Sequence, residues 1–164
     1  MPTPFQIALS METAIKEELE VQLNNSQVPE LRPLVELLIK GQISILQVLS
    51  QASNDTFAYN PIEISEKILG NDNVWKEAAT IKNNTSSSSS CLVQLWILSS
   101  LLDKSSQYYR QTALNSAYQQ SKLFFNSIAE VKVIQKRRID SVLRSIYNII
   151  WGDVGFAPFS LGRS

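Results

Sequence analysis

The sequence contains no histidine. Imidazole is the usual general base near neutral pH and the commonest metal ligand, so every histidine-based triad, proton shuttle and metal motif is excluded. A single cysteine, Cys91, rules out an intrachain disulfide and any structural zinc site made of several thiolates. Glycine is scarce, with five residues in 164, and no glycine-rich phosphate loop occurs. Neither sign of charge is in excess, since 15 Lys plus Arg balance 15 Asp plus Glu. That balance gives no global field to steer nucleic acid and little resistance to self-association. A homodimer is therefore a candidate state, and a nucleic-acid partner is not expected. The richest apolar window, 92–102, is broken by Gln94, Ser99 and Ser100 and falls short of the ~18 apolar residues of a membrane span. The N-terminus lacks the basic segment and apolar run of a signal peptide. No membrane partner and a cytoplasmic location are the resulting expectations.

What is present reads as helix. Leu, Ala, Glu, Gln, Lys and Ser dominate the long segments, and strand-like alternation is rare. A first helix is expected over 4–23, with Phe5, Ala8, Glu12, Ile15 and Leu19 in one stripe. A second should start near Pro29 or Arg32, since proline is tolerated only in a first turn, and run to about Ser50. Its buried face is Leu34, Leu38, Gly41, Ile45 and Leu49. Gly41 on that face costs roughly 1 kcal/mol against Ala, which a close helix crossing would explain.

Residues 51–90 form a long connection with room for two short helices. Asn60-Pro61-Ile62-Glu63 looks like an N-cap, a proline at N1 and a glutamate reaching back, with Gly70 as the stop. Asp72 or Asn73 could cap a second helix through Trp75 to Ile81. Residues 83–90, rich in Asn and Ser, read as a mobile loop. A third long helix is expected over 91–114, with Leu95, Leu102, Tyr109 and Ala113 on one face and Ser99 and Ser106 between them. A fourth should span 117–150, with Phe124, Ile128, Val131, Val142, Ile146 and Ile149 as its stripe and Gly152 ending it. The expected organisation is an all-α bundle over 1–152 and a C-terminal tail over 153–164 that docks on it. Short links within each helix pair favour antiparallel neighbours, and the long connection can cross the bundle from end to end.

Two stretches resemble the ferritin-like superfamily, in particular its rubrerythrin-type four-helix bundles. One is Ala8-Leu9-Ser10-Met11-Glu12-Thr13-Ala14, followed by Pro33-Leu34-Val35-Glu36-Leu37-Leu38. The other is Tyr108-Tyr109-Arg110-Gln111-Thr112-Ala113, followed by Lys122-Leu123-Phe124-Phe125-Asn126-Ser127-Ile128-Ala129-Glu130. The resemblance covers about two thirds of the chain and implies a four-helix bundle with a long crossover between the second and third long helices, which carries the short extra helices. Members of that superfamily hold two irons with carboxylates from all four helices and two Glu-x-x-His motifs. Glu12 matches the glutamate of helix one, but that of helix three falls at Asp103 or Leu102. The positions of the two Glu-x-x-His motifs align near Gln42 and Ile45, and near Lys132 and Gln135. Ile39 follows Glu36 by three residues and Val133 follows Glu130 by three, so no shift by a turn restores the motif. The usual di-iron site is absent. An all-carboxylate set of Glu12, Glu36, Asp103 and Glu130 is the one conceivable metal site.

Glu12 on an apolar stripe needs a partner, and Lys132 is the attractive one, a cation placed where a metal ligand would sit. Lys136-Arg137-Arg138 reads as the solvated face of helix four, and Tyr109 and Trp75 as core. The serines before Cys91 have no nearby base, so nucleophilic catalysis lacks its activating group. The resulting expectation is a non-catalytic bundle without a cofactor. It would act through protein association or hold a small apolar ligand if Gln42, Ile45, Lys132 and Gln135 leave a void. A divergent di-metal carboxylate oxidoreductase is the alternative.

Overall fold

The computed structural model describes residues 2–25, 31–52, 61–78 and 88–153, and within these the chain is all helix and connecting turn. Among the described residues six helices follow one another: α1 (Pro4–Asn25), α2 (Arg32–Ala52), α3 (Pro61–Leu69), α4 (Asp72–Ala78), α5 (Ser88–Leu114) and α6 (Gln119–Asp153).

The stripes read from the sequence are the buried faces. On α2 the buried residues are Leu34, Val35, Leu38, Gly41, Gln42, Ile45, Val48, Leu49 and Ala52. On α1 the stripe of Ala8, Glu12, Ile15 and Leu19 is buried, as are Leu95, Ser99, Leu102, Ser106, Tyr109 and Ala113 on α5. Gly70 takes φ 67°, the left-handed conformation of a helix stop, and its N–H bonds the carbonyl of Glu66 at 3.1 Å.

Several boundaries differ from expectation. α5 begins at Ser88, so residues 88–90 of the loop expected over 83–90 are helical; 83–87 lie outside the described residues. Cys91 and Leu92 are already buried, and a helix needs a preceding turn to supply the carbonyls that their successors bond. α6 continues through Gly152 to Asp153, because one glycine weakens a helix by only about 1 kcal/mol and does not stop it. α4 is capped by Asn71, whose Oδ1 accepts the N–H of Asn73 at 2.8 Å, one residue before the cap expected at Asp72 or Asn73. The cap expected at Asn60, the last turn of α4 expected over 79–81 and the tail over 154–164 lie outside the described residues.

The four long helices have definite directions. α5 and α6 are antiparallel: Ser99 bonds Asp140, Ser106 bonds Ala129, and Arg110 pairs with Glu130. α1 and α6 run in the same sense, since the Phe5 ring packs against Phe124 and Phe125 while Glu12 meets Lys132 further along both. Two apolar clusters set the rest. One gathers Ile15 and Leu19 with Leu34 and Leu38 of α2 and Leu95 and Leu98 of α5. The other gathers Ala8 with Ile45 and Val48 of α2 and Tyr109 and Ala113 of α5. So α1 and α2 are antiparallel, whereas α2 and α5 are parallel.

Parallel α2 and α5 require a connection that runs the length of the molecule, and α3 and α4 are that connection. Ile64 and Ile68 of α3 belong to the second cluster and Trp75 of α4 to the first. Arg138 holds the junction, donating to the carbonyl of Leu69 at 3.0 Å with its guanidinium 5.3 Å from the Trp75 ring centre. Gly41 faces α3 so closely that a Cβ there would lie 2.9 Å from the backbone oxygen of Ile68, which accounts for the glycine. Among the described residues α2 alone is long and apolar enough to cross a membrane, by length and a mean hydropathy of 1.3. Its apolar face is spent on the core.

Candidate functional site

The polar residues drawn into the core come from all four long helices. Glu12 of α1 and Lys132 of α6 are 0% exposed, Gln42 of α2 is 2% and Gln135 of α6 is 5%. Tyr109 of α5 is likewise fully buried. Lys132 Nζ donates to Glu12 Oε2 at 2.7 Å and to Gln42 Oε1 at 3.4 Å. Gln42 Nε2 donates to Glu12 Oε2 at 2.5 Å and to the Glu12 backbone carbonyl at 2.8 Å. The partner expected for Glu12 is therefore in place, with Gln42 tying the pair to α2. The ammonium neutralises the carboxylate, and the amide supplies the hydrogen bonds that make so buried a pair tolerable.

The Tyr109 hydroxyl is within electrostatic reach of Glu12. Both it and Glu12 Oε1 are buried, and neither has a hydrogen-bond partner within ordinary distance. Burial first, then the negative charge of Glu12, holds the phenol well above its ordinary pKa of 10.0. A folded-state pKa above the unfolded one leaves stability intact below about pH 10 and removes it as pH rises toward the folded value. Unfolding free energy is expected to fall above about pH 10, with this group adding a slope of up to about 1.4 kcal/mol per pH unit. Tyr109→Phe should be less sensitive in that range and change stability at pH 7 by no more than about 1 kcal/mol. Denaturant titrations of both proteins across the alkaline range measure the difference; parallel curves would remove Glu12 and burial as the cause.

Lining residues such as Ile15, Leu38, Leu98, Leu102 and Gln135 leave a cavity of only about 10 Å³ beside the cluster. That is room for about one water and for no organic ligand. Gln135 Oε1 has no partner, and its Nε2 lies 3.2 Å from the position a Cβ on Gly41 would take. Ile45 is fully buried in the apolar cluster. Of the four bundle-centre positions, Gln42 and Lys132 hold Glu12, Gln135 lines the adjoining cavity, and Ile45 is packing.

The other three carboxylates considered as metal ligands do not join Glu12. Glu36 is exposed and pairs with Arg32 at 3.2 Å, Glu130 is exposed and pairs with Arg110 at 2.9 Å, and half-buried Asp103 accepts from Gln107 at 2.9 Å. Each lies off the buried stripe of its helix. Among the described residues no three His, Cys, Asp or Glu side chains converge. The basic cluster is also not a simple solvated face. Lys136 pairs with Asp140 at 2.6 Å and Arg138 anchors the α3–α4 junction. Sequence reasoning placed Tyr109 in the core but missed its approach to Glu12. Its spacing from Ser106 and Ala113, two small neighbours, is the one signal that the ring turns inward. Comparison with protein-family models, curated proteins and solved structures gave no match to this chain.

Proposed function

We propose that the chain is a non-catalytic helical domain of ferritin-like type that acts through protein association, with a lysine ammonium standing where metal-binding relatives hold a cation. One observation carries this reading: Lys132 Nζ sits 2.7 Å from Glu12, both fully buried. A fixed positive charge does the electrostatic work of an ion there, at the one position where the family's glutamate is matched. The helix directions support it. Parallel α2 and α5, joined by a connection along the whole molecule, are what a crossover bundle requires and a simple up-down bundle does not. The cavity of about 10 Å³ beside Gln42 and Gln135 is too small for an organic ligand, which favours association over a small apolar ligand held there. The di-metal oxidoreductase reading has no comparable support, because Glu36 and Glu130 are spent in exposed ion pairs.

The test is metal loading. Protein incubated with ferrous iron, manganese or zinc and then dialysed is expected to retain substoichiometric metal by elemental analysis. Stoichiometric metal that disappears in Glu12→Gln would overturn the proposal.

A further inference from the structure

The buried cluster holds a nucleophile, an electrophile and a proton carrier in contact. Lys132 Nζ is a primary amine once it yields a proton, Gln42 carries a carboxamide, and the Glu12 carboxylate touches both. One oxygen, Glu12 Oε2, accepts from Nζ at 2.7 Å and from Gln42 Nε2 at 2.5 Å. Nζ also lies 3.4 Å from Gln42 Oε1, one bond away from the amide carbon Cδ. The amide is held in place by its second bond, from Nε2 to the Glu12 backbone carbonyl at 2.8 Å. Rigid helices α2 and α6 thus present the amine to the amide, which is the proximity that turns a slow encounter into an intramolecular step.

Among the described residues Lys132 is the one buried lysine. The cavity beside it has room for about one water, so the amine and not bulk water faces the amide. In so dry a place a lysine amine is an effective nucleophile.

We propose that Lys132 and Gln42 join through a side-chain amide bond, with Glu12 as proton carrier and ammonia as leaving group. The Nζ–Cδ bond forms and the Cδ–Nε2 bond breaks. Nζ begins with three protons and ends with one, while Nε2 begins with two and leaves with three. Glu12 takes both protons from Nζ in turn, passes one to Nε2 and keeps the other as a carboxylic acid. No oxidant or reductant is consumed. The shared position of Oε2 serves this transfer, because the same oxygen reaches the nitrogen that loses protons and the nitrogen that gains one. The reactants contain a buried ion pair and the products contain no buried charge, which favours the exchange. An amide is a weak electrophile and the ammonium must first yield its proton. Freshly purified protein is therefore chiefly the ion pair, and the bond accumulates with time.

Intact mass spectrometry tests this. Folded protein incubated for several days at neutral pH should yield a species lighter by one ammonia, reaching at least about a tenth of the chain. Trypsin should then release residues 41–67 joined to 123–136, with cleavage after Lys132 lost. The linked species should melt about 10 °C higher, since the bond closes a loop between residues 90 apart in sequence. Protein incubated in denaturant should keep its full mass, and so should Gln42→Met, which retains the ion pair without the electrophile. Full mass in the incubated wild type, ammonia lost at another residue, or equal loss in denaturant would each overturn the proposal, and none of these requires a variant to fold. The proposal rests on the contacts of the cluster and not on the likeness to metal-binding bundles. Unlinked protein that loads no metal would end this proposal alone; linked protein that loads stoichiometric metal would end the non-catalytic reading alone.

Discussion

Lys132→Met is expected to destabilise the fold by about 3–5 kcal/mol, among the largest effects of any single substitution in the chain. Methionine fills most of the space of the lysine stem, so lost packing is a small part of the cost. The loss comes from Glu12, which would keep its carboxylate at 0% exposure with the Gln42 amide as its remaining close partner. One amide does not compensate a buried charge. The same reasoning predicts recovery in the double variant Glu12→Gln with Lys132→Met. A neutral Gln at 12 can still bond Gln42, and no charge is left unpaired. The double variant should regain more than half of the loss, because a buried pair is worth little against neutral groups that satisfy one another. Urea unfolding of the wild type, both singles and the double gives the coupling directly. A single-variant cost under about 1 kcal/mol would mean that solvent reaches Glu12 and that the cluster is not a closed site.

How this cluster arises separates what was legible in the sequence from what was not. Glu12 stands out as a carboxylate on an otherwise apolar stripe, and Lys132 as a cation at a position where the resemblance to ferritin-like bundles places a ligand. A buried charge demands a counter-charge, so the pair follows from the stripe and the resemblance together. Gly41 was visible for a similar reason, as a glycine on a buried face where a side chain would be expected to pack. Gly70 and the start of α3 at Pro61 follow from local backbone chemistry.

The rest depends on tertiary register. Glu36 and Glu130 have the right residue type for ligands, but whether a position one or two residues off a stripe faces solvent is decided by helix rotation. The α3–α4 path sets that rotation by laying Ile68 against Gly41 and Leu69 against Arg138. No local pattern announces that a side chain in a basic triplet will reach a helix terminus 69 residues earlier in the chain. The approach of Tyr109 to Glu12 is hidden in the same way, since α1 and α5 are joined only through the whole connection. The onset of α5 at Ser88 was obscured by composition: a serine run reads as loop, although the burial of Cys91 and Leu92 requires an earlier turn.

The second large effect concerns the cation for which, on the proposed reading, Lys132 stands in. Lys132→Glu would set a second carboxylate against Glu12, with Gln42 and Gln135 beside them and no cation between. Like charges in so dry a place cannot both remain ionised, and the metal-free variant should lose about 3–5 kcal/mol or fail to fold. On the proposed reading, that vacancy is one a divalent ion fits, because two carboxylates and two amide groups are the oxygen-rich donor set of a hard cation. Manganese or zinc should then stabilise the variant by RT ln(1 + [M]/Kd), about 2.7 kcal/mol at a hundredfold excess over Kd. It should leave the wild type unmoved, since the ammonium already holds the place. Thermal melts with and without metal measure both. A variant that is unfolded in chelator and becomes helical on adding metal is the same result in stronger form, because metal binding then supplies the folding free energy. Equal melting temperatures with and without metal, in a variant that stays folded, would show that the ammonium occupies ordinary core space. Lys132 would then be a buried ion-pair partner and nothing more, and the likeness to metal-binding bundles would lose its physical basis.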